Sequence, residues 1–343
     1  MNRILLAHDG DSPTLVAIPW LATRYSAEVV TVTLDLGQPA NLADVREQAL
    51  AAGAARAHVI DARDRLAEQL VLPALRAGAI SLDHEDPLVR PLTSPLVAWL
   101  VADVAAMEQA SAIAHGGTAE RVPRLLASRT ATPVLPSLAD AMSPEERARA
   151  AAELGLADAG EADWPRSAST LWGRPVFATA GSDQTGRPPG AEGAVVHVPT
   201  ERAVVEISVQ NGVPDAVNGV SMAFLELIGS LDAILSAMPV DAFGWHAPAA
   251  TVLSRAFKAL ESLCLSPRLL ELRRSLARAY IDLLHDGAWF SPEREAIDAF
   301  TARALATVSG SLRFELSSGD LLLQEARPRV ASRGEGVMEG VTG

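Results

Sequence analysis

The amino-terminal half of the chain alternates short apolar strands with helices, and this alternation limits the possible folds more than any other feature. The predicted strands are residues 4–7, 28–35, 57–61 and 112–115. The predicted helices are residues 15–25, 42–52, 63–77 and 94–109, the last beginning at a Ser-Pro pair. Strands and helices that alternate with short connections are typical of a parallel sheet covered on both faces. The sequence therefore predicts an α/β fold here.

The first strand runs into a short polar turn, residues 8–14 (HDGDSPT), where α/β proteins often bind phosphate. A phosphate-binding turn uses several glycines, so that backbone N–H groups converge on the anion. This turn keeps only Gly10, and Asp9 and Asp11 flank it. Two carboxylates close to a triphosphate repel it unless a cation lies between them. The turn therefore has the position of a nucleotide site without the residues that usually hold the phosphates.

Ligands of parallel sheets bind beyond the carboxyl ends of the strands, so the turns that follow residues 7, 35 and 114 are expected to share one rim. The candidate nucleotide-binding residues on this rim are Ala7, His8, Asp9, Gly10, Thr14, Gly37, His115 and Gly116. His8 and Asp9 fit a general base with its orienting carboxylate or, more simply, a solvated loop pair. His115 either faces a nucleotide or makes a backbone hydrogen bond at its turn.

Composition and motifs exclude several other kinds of site. Asp9, Asp11 and Glu120 are the only candidates for Mg²⁺ at the rim, but carboxylate-rich loops are usually just hydrated, so no metal site is assigned. The single cysteine, Cys264, excludes an internal disulfide and a multi-cysteine metal site. No HExxH, GxSxG or GxxxxGK[ST] motif is present. The one lysine, Lys258, lies far along the chain in a predicted amphipathic helix.

The overall composition is that of a soluble protein with a large core. The chain has 343 residues, of which 49% are apolar, and its length favours two domains. A net charge of −13 argues against a nucleic-acid partner and against an acidic membrane surface, because both require a basic face. No apolar run is long enough to span a bilayer, and the amino terminus turns polar too early for a signal peptide. We therefore expect a cytoplasmic location.

The second half differs in its pattern. Residues 136–165 are acidic and alanine-rich and are predicted to connect two domains, with a capped surface helix in SPEERARAAAELG. Strands are predicted near residues 194–197, 203–210 and 310–316, and helices near residues 222–236, 249–262, 268–284 and 292–305. This pattern predicts an α+β domain over residues 166–323, after a nucleotide-binding domain over residues 1–135. Residues 324–343 have no apolar periodicity and are predicted to form a disordered tail.

Several segments together resemble one family over nearly the whole chain. They are AEVVTVTLDLGQ, AHGGT, LWGR, NGVPDAVNG, DGAWFSPEREAIDAF and VSGSLRFEL, in that order. The ordered set resembles argininosuccinate synthase. The resemblance implies an amino-terminal PP-loop ATP pyrophosphatase domain, which is HUP-like, and a carboxy-terminal synthetase domain. It also implies a homo-oligomer and a reaction in which ATP, with Mg²⁺, adenylates citrulline and aspartate then displaces AMP.

The same resemblance indicates that ligand-binding residues are missing. Where the family has SGGLDTS, this chain has DGDSPTL at residues 9–15, which keeps one glycine and the threonine. After AHG, Thr118 is kept, but Glu120 stands where the family has a lysine. The family's YSxDxNLWGR appears as PRSASTLWGR, so Arg174 survives. Trp245 and His246 replace a tyrosine and a glutamate. The substrate-binding candidates implied by the resemblance are therefore Thr118, Arg174, Trp245 and His246.

Three functions remain open from the sequence. The first is a catalytically silent relative that binds or assembles with other proteins, among them a true argininosuccinate synthase. The second is a repurposed ligase of the same fold, which uses a nucleotide on a substrate smaller or less polar than citrulline. The third is authentic argininosuccinate synthase activity, with ATP and Mg²⁺ as cofactors. In each case self-association is expected.

Overall fold

The computed structural model describes residues 2–10, 12–80, 88–116, 121–156, 169–175, 203–236, 238, 245–317 and 320–329. Its amino-terminal part contains a parallel sheet of four strands in the order β3-β2-β1-β4. The strands are β1 (Arg3–Ala7), β2 (Glu28–Asp35), β3 (Arg56–Asp61) and β4 (Ala112–His115). The four predicted strands are confirmed, and the predicted α/β class with them.

Helices cover both faces of this sheet. They are α1 (Ser12–Tyr25), α2 (Leu42–Ala51), α3 (Arg63–Arg65 and Leu72–Arg76 with a π-helical segment, Leu66–Val71, between them), α4 (Val89–Met107), α5 (Arg121–Ala127), α6 (Leu138–Ala141) and α7 (Pro144–Glu153). Successive strand residues point to opposite faces. Leu5 packs in the apolar cluster that contains α3 and α4, whereas Ile4 and Leu6 pack in the cluster that contains α1.

Helix α4 begins earlier than predicted. A start at Ser94 is wrong, because the helix begins at Val89 and encloses Pro95. Leu88, just before it, has a left-handed φ of 62°. Leu92 and Leu96 are both buried and lie four residues apart, so the buried stripe of this helix continues on the amino-terminal side of the proline. Packing against the sheet therefore outweighs the local signal of the Ser-Pro pair.

The described part of the stretch predicted as a connection, residues 136–156, contains two helices packed on the amino-terminal part. The predicted capping of α7 is confirmed, since Ser143 and Glu146 form a capping box. Ala150 and Ala151 of this helix are buried in the cluster that contains α1. Trp20 of α1 donates a hydrogen bond from Nε1 to Glu146 Oε1 at 3.2 Å. Helices α6 and α7 thus extend the layer on that face of the sheet.

The carboxy-terminal part is built on an antiparallel sheet of five strands in the order β11-β10-β6-β7-β8. Its elements, with a separate two-stranded pair β5–β9, are β5 (Arg174–Pro175), β6 (Ala203–Gln210), β7 (Val213–Val217), β8 (Val220–Ser221), α8 (Phe224–Ile234), β9 (Trp245–His246), α9 (Pro248–Cys264), α10 (Pro267–His285), α11 (Pro292–Leu305), β10 (Gly310–Ser317) and β11 (Asp320–Pro328). The predicted α+β character is confirmed.

The expectation of a disordered tail from residue 324 is wrong for its first residues. Strand β11 continues to Pro328, because it pairs with β10 along its length, from Ser317 opposite Asp320 to Gly310 opposite Pro328. Backbone hydrogen bonds to a neighbouring strand hold this segment without an apolar period of its own. Residues 330–343 and the strand predicted near 194–197 lie outside the described residues.

The two parts share one apolar core. Helix α3 is buried along most of its length and contacts α8, α9 and α11 of the carboxy-terminal part as well as α4. Arg273 of α10 donates a hydrogen bond from Nη2 to the carbonyl oxygen of Arg76, at the end of α3, at 2.7 Å. The same side chain forms an ion pair with Glu261 of α9 at 2.6 Å. Helix α3 therefore lies between the parallel sheet and the carboxy-terminal helices.

A buried carboxylate just after helix α4 forms ion pairs with residues of β1 and β3, near the amino ends of these strands. Glu108 is 3% exposed. Its carboxylate oxygens lie 2.7 Å from His58 Nε2, 2.9 Å from Arg56 Nη1 and 3.3 Å from Arg3 Nη1. Burial acts to raise the pKa of Glu108, but the hydrogen bond from His58 and the nearby positive charges outweigh it and lower the pKa. The folded state therefore favours the ionised carboxylate.

Replacing Glu108 with alanine is expected to lower the free energy of unfolding by about 2 kcal/mol at pH 7, the typical cost of losing hydrogen bonds to a charged group. The folded-state pKa is below the unfolded value, so this stabilisation is present above pH ~4.3 and disappears as the pH falls. Urea denaturation of both proteins at several pH values measures the difference. Glu47→Ala, at an exposed position of α2, is the control; equal stabilities of the Glu108 variant and this control at pH 7 would contradict the expectation.

Candidate functional site

The carboxyl ends of the parallel strands form the expected rim. Ala7, at the end of β1, pairs with Val32 of β2 and with His115 at the end of β4. The backbone N–H of His8 continues the sheet by donating to the carbonyl oxygen of Val32 at 2.9 Å. The ends of β1 and β4 therefore lie side by side, and β2 continues three residues further at the same edge of the sheet, to Asp35. Residues 117–120, which include the candidates Thr118 and Glu120, lie outside the described residues.

His8 is a buried residue of this rim, with 4% of its surface exposed. Its Nδ1 lies 2.8 Å from the Thr14 hydroxyl oxygen, and that hydroxyl donates to Asp9 Oδ1 at 2.7 Å. Since the threonine proton goes to Asp9, the network assigns the histidine proton to Nδ1. Burial lowers the pKa of His8, and the charge of Asp9 offsets this only in part. The solvated loop pair is therefore wrong for His8, which is a neutral imidazole fixed in one tautomer.

The other nitrogen of His8 is available as an acceptor. Among the described residues no group hydrogen-bonds to His8 Nε2, although this atom is buried. In the Nδ1–H tautomer, Nε2 carries a lone pair. A buried acceptor of this kind can receive a hydrogen bond from a ligand hydroxyl or amine, or can take up a proton. The sequence identified His8 as a candidate but did not reveal that it is buried or which tautomer it adopts.

His115 is the second buried histidine of the rim, with 3% exposure. Burial lowers its pKa, with an opposing effect from Asp140. In the part of the chain that the structure describes, neither ring nitrogen has a hydrogen-bond partner, so the backbone hydrogen bond considered for this residue is not found there. His8 and His115 thus contribute neutral, buried polar groups to the rim.

The two candidate glycines of the rim pack against the chain itself. Gly10 has a φ of 85°, and a Cβ there would lie 2.8 Å from Val45 Cγ2. Gly37 has a φ of 84°, and a Cβ there would lie 2.9 Å from the backbone nitrogen of Leu171. The N–H of Leu171 also donates to the carbonyl oxygen of Leu36 at 2.7 Å. At both positions, the positive φ and the lack of space for a Cβ therefore require glycine. The segment that leads to Arg174 packs on the rim at Gly37.

The family resemblance implies that ATP with Mg²⁺ binds at this rim. The hydroxyl of Thr14 already donates to Asp9, and Gly10, the only glycine of the turn, packs on Val45. Among the described residues no group of three or more His, Cys, Asp or Glu side chains could hold a metal ion. Of the weak Mg²⁺ candidates, Asp11 and Glu120 lie outside the described residues. In the described part of this turn, the threonine hydroxyl and the glycine therefore make contacts within the protein.

A second cluster joins two of the predicted substrate-binding residues. Strands β5 and β9 pair Arg174 directly with His246, and Pro175 with Trp245. Burial, followed by the charge of Arg174, lowers the pKa of His246. Its Nε2 lies 3.4 Å from the carbonyl oxygen of Ser236. The structure thus brings Arg174 and His246 together, although the sequence separates them by more than seventy residues.

Asp232 of α8 completes this cluster and was missed in the sequence. Its Oδ1 accepts a hydrogen bond from the backbone N–H of Ala249, in the first turn of α9, at 2.9 Å. Burial raises the pKa of Asp232 to about 6, although that hydrogen bond and the charge of Arg174 oppose the shift. An aspartate among the apolar residues of the second half of this helix was the available signal, and only the fold places it beside Arg174. The cluster therefore contains a carboxyl group that titrates near neutral pH.

Replacing Asp232 with asparagine is expected to raise the free energy of unfolding by about 2 kcal/mol at pH 7.5, because a neutral amide still accepts from Ala249 without the cost of a buried charge. The folded pKa of about 6 exceeds the unfolded value, so Asp232 contributes a decrease in stability as the pH rises from 4 to 6. The asparagine variant should lack that slope. Denaturation curves at pH 4, 5, 6 and 7.5 test this, and an unchanged slope would contradict it.

Comparisons with known proteins agree with this architecture. The family model described as "Arginosuccinate synthase N-terminal HUP domain" matches residues 3–123, and that described as "Arginosuccinate synthase C-terminal domain" matches residues 244–331. An argininosuccinate synthase of Dehalococcoides mccartyi is 32% identical over 344 residues, which cover 93% of this chain and 84% of that protein. This chain belongs to the argininosuccinate synthase family.

Other members of the argininosuccinate synthase family show similar coverage. The argininosuccinate synthase of Chlorobium luteolum is 30% identical over 351 residues, which are 94% of this chain and 87% of that protein. Among solved structures, a universal stress protein in complex with cAMP matches 39% of this chain and 94% of its own chain, at 18% identity and a TM-score of 0.23. That likeness is too weak to support any inference about this chain. No described helix is long and apolar enough to cross a membrane.

Proposed function

We propose that this chain is a catalytically silent member of the argininosuccinate synthase family, which does not carry out the ATP-dependent ligation of citrulline and aspartate. The observation that supports this most directly is the hydrogen-bond chain from Asp9 through Thr14 to His8. It occupies the turn where the family would hold the phosphates, and it uses the threonine hydroxyl within the protein. A carboxylate at this point also repels a triphosphate.

The rim supports a different kind of ligand from a polyanion. His8 and His115 are buried and neutral, and His8 Nε2 is an acceptor without a partner among the described residues. Such groups fit an uncharged polar molecule or the hydroxyl and amine groups of a nucleoside. The nearby cluster of Arg174, His246 and Asp232 supplies charges of both signs. If the rim of a catalytically silent protein still binds a ligand, we therefore expect a small polar molecule there.

Authentic argininosuccinate synthase is the second candidate, with ATP and Mg²⁺ as cofactors. It is favoured by the 32% identity over 93% of the chain to a protein of that name. If it is correct, residues 117–120 and Asp11 would have to supply phosphate and metal contacts that the described residues lack. The same experiment decides between the two candidates.

The test combines calorimetry with a turnover assay. Titration with ATP and MgCl₂ is expected to give no saturable heat, and incubation with ATP, citrulline and aspartate is expected to release no pyrophosphate. The Dehalococcoides mccartyi argininosuccinate synthase, assayed in parallel, is the positive control. Pyrophosphate release that requires citrulline and aspartate would overturn the proposal and establish the authentic activity. Saturable ATP binding without pyrophosphate release would contradict the expected repulsion of a triphosphate and would favour the repurposed ligase, which uses a nucleotide.

Self-association, assembly with a true argininosuccinate synthase and a cytoplasmic location belong to the same proposal. The family resemblance implies a homo-oligomer. Light scattering after size-exclusion chromatography measures the oligomeric state directly. Mixing this chain with the Dehalococcoides mccartyi protein and repeating the measurement tests mixed assembly. A new species of intermediate composition supports it, and two unchanged peaks contradict it.

A further inference from the structure

A large cavity lies in the carboxy-terminal part, away from the rim. Its volume is about 900 Å³, within the usual range for small-molecule sites. It is bounded by the facing sides of α9 and α10, the end of α3 and the β10–β11 pair. The apolar part of its lining includes Leu75, Ile80, Phe257, Phe314 and Leu321. An apolar body the size of an aromatic ring or a branched chain therefore fits its floor.

The charged part of the lining is strongly basic in a chain whose net charge is −13. Among the described residues, five cationic side chains line the cavity with one carboxylate, Glu261; the cations are Arg255, Lys258, Arg273, Arg274 and Arg278. Glu261 is already used, because it forms the ion pair with Arg273. Arg255 donates to the carbonyl oxygen of Leu321 at 2.7 Å. The cationic side chains of the described lining that remain for a ligand are therefore Arg274 and Arg278.

Arg274 and Arg278 are the cations best placed to receive a ligand. They lie four residues apart on α10, and therefore on one side of the helix. Arg278 makes no hydrogen bond or ion pair with any described residue. Both side chains are exposed, so their guanidinium groups remain solvated until a ligand arrives. Two arginines on one side of a helix match a carboxylate, which guanidinium binds in a bidentate geometry.

The cavity is remote from the rim. Helix α3 starts beside the rim, where the N–H of Ala62 donates to the carbonyl oxygen of Asp35 at 2.9 Å, and ends at Arg76 beside the cavity. Its fourteen residues span about 20 Å at the rise of a helix. A ligand in the cavity therefore cannot touch the candidate nucleotide-binding residues.

We infer that this cavity binds an organic anion with a compact apolar body, of the class of aromatic or branched aliphatic carboxylates. The apolar floor buries the body, and Arg274 with Arg278 binds the carboxylate. An inorganic anion would leave the apolar lining in water, and a neutral ligand would leave the two arginines unused. The inference is independent of whether the rim binds or turns over a nucleotide.

The primary test uses anilinonaphthalene sulfonate, a fluorescent anion with an apolar body. We expect one saturable site per chain in the full-length protein. The double variant Arg274→Gln/Arg278→Gln should bind the probe about tenfold more weakly, because it loses two charge-assisted hydrogen bonds. Arg268→Gln, at an exposed position on the same helix outside the cavity, is the matched control and should bind within about twofold of wild type. Equal binding by all three proteins would overturn the inference.

Two further measurements separate specific binding from general adsorption of the dye. Phenylpropionate should displace the probe, whereas the uncharged phenylpropanol should not. Ala277→Phe, which places a ring in the cavity, should reduce binding while circular dichroism and thermal melting show a folded protein. Displacement by both compounds, or unchanged binding in a folded Ala277 variant, would also overturn the inference. ATP calorimetry of the arginine variants should match wild type, so a failure of the proposed function stays distinguishable from a failure of this site.

Discussion

Replacing Arg273 with alanine is expected to lower the free energy of unfolding by about 3–5 kcal/mol, the usual cost of breaking a buried ion pair from one side. Arg273 is 4% exposed. Its guanidinium bonds to Glu261 Oε1 at 2.6 Å and Oε2 at 3.2 Å, and to the carbonyl oxygen of Arg76 at 2.7 Å. Burial already raises the pKa of Glu261 despite the charge of Arg273. Without that charge, the carboxylate would have to protonate or take up water.

The experiment compares this variant with two others by chemical denaturation at pH 7. Arg268→Ala, at an exposed position of the same helix, controls for helix propensity and should change stability by less than about 0.5 kcal/mol. The double variant Arg273→Met/Glu261→Leu should recover most of the loss, because it removes both charges and fills the space with apolar atoms. A single variant as stable as wild type, or a double variant as unstable as the single one, would contradict this account of the pair.

Replacing Gly37 with alanine is expected to destabilise the protein by about 3 kcal/mol and to displace the segment that carries Arg174. Its φ of 84° costs an alanine about 1 kcal/mol. The new Cβ would also lie 2.9 Å from both the backbone nitrogen and the Cβ of Leu171, and overlap of this kind typically costs a further 1–3 kcal/mol. Because Leu171 precedes Arg174 in the same short segment, the cluster of Arg174 and His246 should be disturbed as well.

A matched control exists elsewhere in the chain. Gly53 has a φ of 103°, but nothing lies within 4 Å of the position its Cβ would take. Gly53→Ala therefore measures the backbone cost alone, about 1 kcal/mol, and the difference between the two variants measures the contact with Leu171. Equal losses in the two variants would show that Leu171 moves aside freely. Hydrogen exchange at the N–H of Leu171 should increase in the Gly37 variant only.

The parallel sheet could be predicted from the sequence because each strand carries its own signal. Strand β2 is a run of β-branched and apolar residues bounded by turn residues, and its predicted limits match the structure. Strand β11 had no such signal, since most of its residues are exposed and it is held by pairing with β10. The start of helix α4 at Val89 was missed for the same reason, because it depends on packing against the sheet. Elements that depend on tertiary partners were therefore the ones that the local pattern missed.

The sequence predicted where the rim lies but not the hydrogen bonds and protonation states of its side chains. The sequence identified His8, Asp9 and Thr14 as neighbours of a nucleotide, because a turn after a parallel strand marks the ligand edge. It did not reveal that the three side chains bond to one another, since burial decides whether a histidine is charged or neutral. Asp232 was missed for a related reason: its raised pKa depends on residues far away in the chain. Physical environment, rather than residue type, determines these properties.

The central position of helix α3 links the folding of the amino-terminal part to that of the carboxy-terminal part. A fragment ending near residue 135 would keep the parallel sheet but leave uncovered the side of α3 that normally faces α8, α9 and α11. Such a fragment would expose a continuous apolar surface and should aggregate rather than fold independently. Calorimetric melting of the intact chain should accordingly show one transition, with both halves lost together.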